Sequence, residues 1–174
     1  PDVVVQLDPA IAKPDRVTIE LEIKPTAAVG VVQLTCEGDG GKSAPVMFAI
    51  DRFATVAEAG VTDSARAAQS VTLPVTVVGS IDRAGDVDYF RFDAKAGDQV
   101  GVQVVATELG SKLDAVVVLT DAGGTILAEG TASLGLVIPR DGSYAVGIRD
   151  KEFRGGSDFG YRLHVGTVPV ATGV

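Results

Sequence analysis

Apolar and polar residues alternate one by one along much of this chain, and a period of two leaves little room for anything but β-strands. Val17-Thr18-Ile19-Glu20-Leu21-Glu22-Ile23-Lys24 alternates strictly, the pattern of a strand with one buried face. Val100, Val102 and Val104 repeat it with Gln103 opposite, and so do Tyr144, Val146 and Ile148. Tyr161, Leu163 and Val165 form a further set, with Arg162 and His164 facing away toward solvent. Ala115 to Leu119 is continuously apolar, as a central strand covered on both faces would be. Turn signals separate the runs: Gly38-Asp39-Gly40-Gly41, Ala96-Gly97-Asp98, Asp121-Ala122-Gly123-Gly124 and Asp141-Gly142. Glycine supplies the positive φ that tight hairpins need, and aspartate bonds locally to the turn amides. The expected fold is all-β, an antiparallel β-sandwich of jelly-roll type.

One stretch breaks the rhythm. Residues 53–70 are alanine-rich, with Asp63 or Ser64 placed to cap a helical turn through Ala65-Arg66-Ala67-Ala68. The expected organisation is a β unit over 1–52, a linker with that turn over 53–70, the main sandwich over 71–168, and a tail over 169–174. Roughly 50 residues is thin for an independent core, so the first unit either belongs to a larger sandwich or packs on the second. The expected core of the second unit is Phe90, Phe92, Val102, Val104, Leu119, Val146, Ile148 and Leu163.

Charge and rare residues exclude several functions. Fifteen Lys and Arg against 23 Asp and Glu give a net charge of −8, which repels phosphate backbones, and the sequence has no basic patch. No apolar run approaches the roughly 20 residues of a membrane-spanning helix. No basic segment precedes an apolar one as in a signal peptide. The start at Pro1 without Met points to a processed or excised fragment. The single Cys, Cys36, excludes an intramolecular disulfide and reads as a small buried hydrophobe. The single His, His164, has no nucleophile elbow to serve. One His and one Cys do not make a zinc site. The glycine-rich segments lack the Lys-Ser/Thr ending of phosphate loops. No pair of groups is placed by the sequence to shift each other's pKa for acid–base work. The chain therefore reads as a non-enzyme with no catalytic residues and no certain cofactor.

Two polar groups remain. Asp82, Asp86 and Asp88 cluster before a strand in which Phe90 and Phe92 share one face. They are either turn-capping carboxylates or oxygen ligands for a hard cation. Arg149, Asp150, Lys151, Glu152, Arg154 and Asp158 surround Gly155-Gly156 between the last two strands. That loop is either a solvated hairpin with weak surface pairing or a recognition loop. Phe153 within it must tuck under the loop or face a partner, so Phe153, Arg154 and Arg149 are the candidate partner-binding residues.

The second unit resembles the bacterial pre-peptidase C-terminal domain over about residues 70–167. The likeness is carried by Gly79-Ser80-Ile81, Gly85-Asp86-Val87-Asp88-Tyr89-Phe90-Arg91-Phe92 and Ala94-Lys95-Ala96-Gly97-Asp98. It continues in Leu109-Gly110-Ser111-Lys112-Leu113-Asp114-Ala115 and Leu119-Thr120-Asp121-Ala122-Gly123-Gly124. Pro139-Arg140-Asp141-Gly142-Ser143-Tyr144, Arg149-Asp150, Arg154-Gly155-Gly156 and Tyr161-Arg162-Leu163 complete it. More loosely, Ala28-Val29-Gly30-Val31 to Phe48-Ala49-Ile50 resembles the closing strands of bacterial immunoglobulin-like domains, which makes the first unit a partial Ig-like one.

The resemblance implies a non-catalytic module appended to secreted enzymes and surface proteins, including a collagen-binding version in bacterial collagenases. It also implies a calcium site, with Asp86 and Asp88 joined by Glu58 and Asp63 from the upstream segment. Gly60 and Thr62 stand where the calcium-binding members carry an acid and an Asn, so the expected affinity is weak. The resulting expectation is an accessory binding or spacer module of a larger secreted, periplasmic or cell-surface bacterial protein, targeting an attached enzyme to a polymer. The alternatives are a domain that aids folding or secretion of its parent and is then removed, a calcium-stabilised interdomain module, and an enzyme using acidic residues alone. Expected partners are neighbouring domains of the parent chain, or a polysaccharide or protein fibre. With no Trp and 3 Tyr, the chain is poorly equipped with aromatic platforms for sugar stacking.

Overall fold

The computed structural model describes residues 3–7, 18–38, 40–60 and 62–168. The chain divides into two compact units, Pro1–Ile50 and Asp51–Val174.

In the first unit, β1 (Val3–Leu7) pairs antiparallel with β2 (Ile19–Ile23), with Val5 opposite Leu21. The expected alternation shows in the first part of β2, where Ile19 and Leu21 are half-buried and Glu20 and Glu22 exposed, but Ile23 is exposed as well; Val17 lies outside the described residues. β3 (Gly30–Leu34) and β6 (Val46–Ile50) form a second antiparallel pair with Val32 opposite Phe48. Between them, β4 (Glu37–Gly38) and β5 (Gly41–Lys42) make the hairpin that the glycine cluster announces; its turn residue Asp39 lies outside the described residues. Cys36 is exposed rather than buried. It sits at the mouth of that hairpin, where its N–H donates to Ser43 Oγ at 2.9 Å and its carbonyl accepts from Ser43 N at 2.8 Å. β4 and β5 are two residues each and exposed throughout, and Cys36, just before them, shares that exposure.

The second unit is a sandwich of two five-stranded sheets. Its strands are β7 (Thr55–Ala57), β8 (Gln69–Ser70), β9 (Val75–Ser80), β10 (Asp88–Ala94), β11 (Gln99–Val105), β12 (Ala115–Asp121), β13 (Ile126–Thr131), β14 (Ser133–Val137), β15 (Gly142–Asp150) and β16 (Gly160–Gly166). One sheet runs β13-β12-β15-β10-β8 and the other β14-β11-β16-β9-β7. Pairing is antiparallel except at two edges, where β8 joins β10 and β7 joins β9 in parallel.

Those two edges correct the reading of residues 53–70 as a linker. The segment supplies one edge strand to each sheet, and the unit begins at Asp51. Residues 65–67 form a turn closed by Ala67 N–H to the Ser64 carbonyl at 2.9 Å, not a helical turn. Alanines offer too little apolar area to hold a helix against the sandwich. The Thr55-Val56-Ala57 run instead finds free backbone groups on β9.

All eight residues expected in the core are buried, and Val77, Ile81, Leu113, Val117, Ile138 and Tyr144 join them. Phe92 and Tyr144 face each other across β10 and β15 with ring centroids 6.2 Å apart. The Tyr144 hydroxyl donates to the Arg140 carbonyl at 2.6 Å, so a large buried ring keeps its one polar atom paired. The turns follow the residues that announce them. Gly97 (φ 88°) and Gly124 (φ 84°) take the left-handed conformation that a Cβ would strain.

Candidate functional site

The sandwich closes at one end over a buried polar cluster. Asp88 begins β10 with the parity of Phe90 and Phe92, so its side chain points between the sheets and is 2% exposed. From the opposite sheet, Tyr161 on β16 donates its hydroxyl to Asp88 Oδ2 at 2.8 Å. Thr62, in the segment between β7 and β8, donates to Asp88 Oδ1 at 2.9 Å. Glu58 follows β7. Its Oε2 accepts from Ser80 N at 3.2 Å and lies 3.3 Å from the Tyr161 hydroxyl, while its Oε1 is 3.3 Å from Thr62 Oγ1. Gly79 makes room: a Cβ there would overlap both Glu58 Oε2 and the Tyr161 hydroxyl.

Two carboxyl groups thus share a site with two hydroxyls. Burial pushes the Asp88 carboxyl up to about 7, and the nearby Glu58 charge adds to that, against the opposing hydrogen bonds from Tyr161 and Thr62. Burial and the same two carboxyls drive the Tyr161 hydroxyl well above its ordinary range, so it stays a donor. The sequence shows no pair of groups able to shift each other's pKa; folding sets Glu58 beside Asp88, 30 positions apart in the chain, where it adds to the rise of the Asp88 carboxyl.

The other two expected metal ligands meet elsewhere. Arg83 forms an ion pair with Asp63 and lies 3.5 Å from Asp86 Oδ1, so one guanidinium spans the two carboxylates. Asp86 is 4% exposed, and its Oδ2 accepts from Asp82 N at 2.8 Å, which closes the 82–86 turn. Its Oδ1 is buried without a hydrogen-bond partner of normal geometry. Asp82 accepts from the Ser80 hydroxyl. The four expected ligands are therefore arranged as Glu58 with Asp88 and Asp63 with Asp86. Among the described residues, no group of three or more His, Cys, Asp or Glu side chains is placed to hold a metal ion.

The loop after β15 is built on Asp150. This carboxylate is fully buried. It accepts from Asp114 N at 3.1 Å, from Glu152 N and Arg154 N at 3.0 Å, and from Arg154 Nε and a terminal guanidinium nitrogen at 3.0 Å. The Arg154 hydrogen bonds, aided by these amides, hold its carboxyl far below the usual carboxylate range despite the burial. Arg154 also reaches over the Phe159 ring at 5.7 Å. Gly155 is required, because a Cβ would strike the Arg83 carbonyl. Phe153 faces outward: it is 51% exposed, at φ 56°, with the Arg149 guanidinium 4.5 Å from its ring centre. A non-glycine residue in the left-handed region costs on the order of 1 kcal/mol, which the Asp150 network sustains.

His164 is not on the solvent side. It is 5% exposed, because the start of the unit crosses the outer face of β16 and sets Asp51 against it. His164 Nε2 lies 3.1 Å from Asp51 Oδ1, and Arg162 Nε donates to both Asp51 oxygens at 3.1 and 3.0 Å. Burial alone would raise the Asp51 carboxyl, but Arg162 and His164 outweigh it and the net direction is down.

These carboxyls fix opposing pH dependences. A raised folded-state pKa means that the native state keeps the Asp88 proton that the unfolded chain releases above about 4. Stability from this group therefore falls as pH rises from about 4 through 7. Asp150 and Asp51 act the other way, and their stabilisation is present above the ordinary carboxylate range and lost in acid. In calcium-free buffer with chelator, Asp88→Asn should retain a Thr62 acceptor, flatten the fall between about pH 4 and 7 and raise Tm at pH 8 by roughly 3–6 °C. Thermal melts at pH 5 and pH 8 check this, and an unchanged slope in the variant would show that Asp88 is ionised throughout.

No family model matches the chain, and no curated protein matches it. Solved structures do. The pre-peptidase C-terminal domain of a collagenase from Bacillus anthracis aligns at 18% identity and a TM-score of 0.44, over 56% of this chain and 93% of that one. PliG of Aeromonas hydrophila, a periplasmic inhibitor of g-type lysozyme, aligns at 18% identity and 0.44, over 67% of this chain and 98% of its own. PliG of Salmonella Typhimurium aligns at 15% and 0.37, over 56% and 97%.

Proposed function

We propose that this chain is a non-catalytic accessory module of a larger secreted, periplasmic or cell-surface bacterial protein, and that it engages a polymeric partner through the loop after β15. The observation that carries this reading is Phe153, a half-exposed aromatic held in a left-handed backbone conformation with a guanidinium stacked on its ring. An aromatic kept outward by a buried carboxylate network is a preorganised contact, since its ordering cost is met before the partner arrives. Arg149 places its guanidinium on the Phe153 ring beside this contact, while Arg154 is held by Asp150 and Glu152 and serves to fix the loop. Co-sedimentation with collagen fibrils, cellulose and chitin tests it. Retention on one of them should fall about tenfold or more in Phe153→Ala, the loss typical of an aromatic anchor, with Tm unchanged. Retention on none, or retention indifferent to Phe153, would remove the loop from the function.

A second reading, a calcium-stabilised module, is favoured by two features. Among the described residues, Glu58 and Asp88 sit together with no cationic side chain bonded to either, and Asp86 Oδ1 is buried without a hydrogen-bond partner. Arg83 competes for Asp63 and Asp86, so the affinity expected is weak, on the order of 10⁻⁴–10⁻³ M. Millimolar calcium should then raise Tm by mass action, and chelator should reverse the shift. No shift at millimolar calcium would leave Asp86 as a turn-capping residue and Asp88 as a proton carrier.

A further inference from the structure

A groove of about 630 Å³ runs across the outer face of the sheet that holds β10 and β15, between the turn after β12 and residues 64–66. Its floor carries small side chains, Ser143 and Ala145 of β15, with Gly123 at one wall. Arg66 and Arg91 line it from the opposite side. Both are exposed, and neither meets a carboxylate among the described residues; Arg91 makes only a long contact, 3.4 Å, to Ser70 Oγ. The one acid in the lining is spent. Asp121 Oδ1 accepts from Gly123 N at 2.9 Å and Thr125 N at 3.0 Å, and its Oδ2 is paired with Arg140 at 2.9 Å. Asp93, the next outward residue on β10, lines a different hollow beside Asp98. The groove is therefore a local cationic site in a chain of net charge −8.

We propose that this groove binds a carboxylate-bearing polysaccharide, a uronate polymer, through Arg66 and Arg91. Guanidinium groups recognise carboxylates by paired, charge-assisted hydrogen bonds, and an unpartnered Arg offers that fork at little desolvation cost. The lining favours sugar over an acidic peptide. Alanine, glycine and serine walls leave no apolar pocket for side chains, whereas hydroxyls and exposed turn backbone suit a polyhydroxylated chain. Tyr144 also borders the groove, but it is 2% exposed with its ring stacked on Phe92 between the sheets, so the lining offers no exposed ring. The binding energy comes from charge, and a neutral glucan would not be held. The site requires neither Phe153 nor calcium.

Polygalacturonate binding, measured by affinity electrophoresis and calorimetry with chelator present, tests this. The expected result is binding at low salt that weakens steeply toward 0.5 M salt. Arg66→Gln and Arg91→Gln should each weaken it about tenfold, and Phe153→Ala should leave it intact. Dextran should not bind. Absence of polygalacturonate binding at low salt overturns the proposal, as does binding by both arginine variants as tight as that of the parent chain. Polyglutamate bound as tightly as polygalacturonate also overturns it, in favour of an acidic peptide. Tyrosine fluorescence melts confirm that the variants are folded, because all three tyrosines, Tyr89, Tyr144 and Tyr161, lie in this unit.

Discussion

Replacing Asp150 by Ala is expected to destabilise the sandwich by about 3 kcal/mol and to release the loop that follows it. The fully buried carboxylate is the common acceptor for three backbone N–H groups and two guanidinium N–H groups. A neutral hydrogen bond contributes on the order of 1 kcal/mol, and a charged one more. Arg154 is close to half exposed and can turn to water, which limits its share of the loss. The Asp114 amide has less freedom, because Asp114 leads directly into β12 and its carbonyl holds Lys151 N at 2.8 Å. Urea unfolding followed by tyrosine fluorescence measures the stability, and limited proteolysis measures the loop. Cleavage within 151–157 should appear in the variant and not in the parent chain. A midpoint shifted by less than the equivalent of 1 kcal/mol would mean that water replaces the carboxylate without cost. The loop would then have no rigid anchor for Phe153, and the recognition reading would lose its structural basis.

Phe92→Ala should cost about 3–5 kcal/mol, the usual range for deleting a buried aromatic side chain. Phe92 fills the space between the sheets, stacked on Tyr144, and both strands that hold the two rings are interior to their sheet. The cavity would border the Tyr144 ring while its hydroxyl remains tied to the Arg140 carbonyl, so the ring cannot collapse freely into the gap. Thermal and urea unfolding check the expectation. An unchanged Tm would place Phe92 outside the core and break the strand parity on which the Asp88 assignment also rests.

Parity is where the sequence was most informative. Phe90 and Phe92 announce the inner face of β10, and the same count of two places Asp88 on that face. A carboxylate in phase with two core aromatics is thus a legible sign of a buried polar site, although the motif alone reads as a turn. The segment carrying Glu58 was legible only through family resemblance, since nothing in its composition says that it returns to the end of β10. The contribution of Tyr161 was hidden, because it is 73 residues from Asp88 and lies on the other sheet. So was the assignment of Arg83 to Asp63 and Asp86, which a count of acids reads as a cation site.

By itself the sequence determined the layers of the sandwich: a period of two decides which side chains leave water, and glycine with aspartate decides where strands reverse. Those are local rules, fixed by backbone geometry within a few residues. The tertiary structure alone decided which polar residues meet. It folded 55–57 and 69–70 onto the sheet edges, brought Asp51 over His164, and left Arg66 and Arg91 facing one groove. The physical reason is that hydrogen bonds and charges act over a few ångströms in space and carry no period along the chain. Which carboxylate finds an arginine, a tyrosine or water is set by the order in which strands lie side by side.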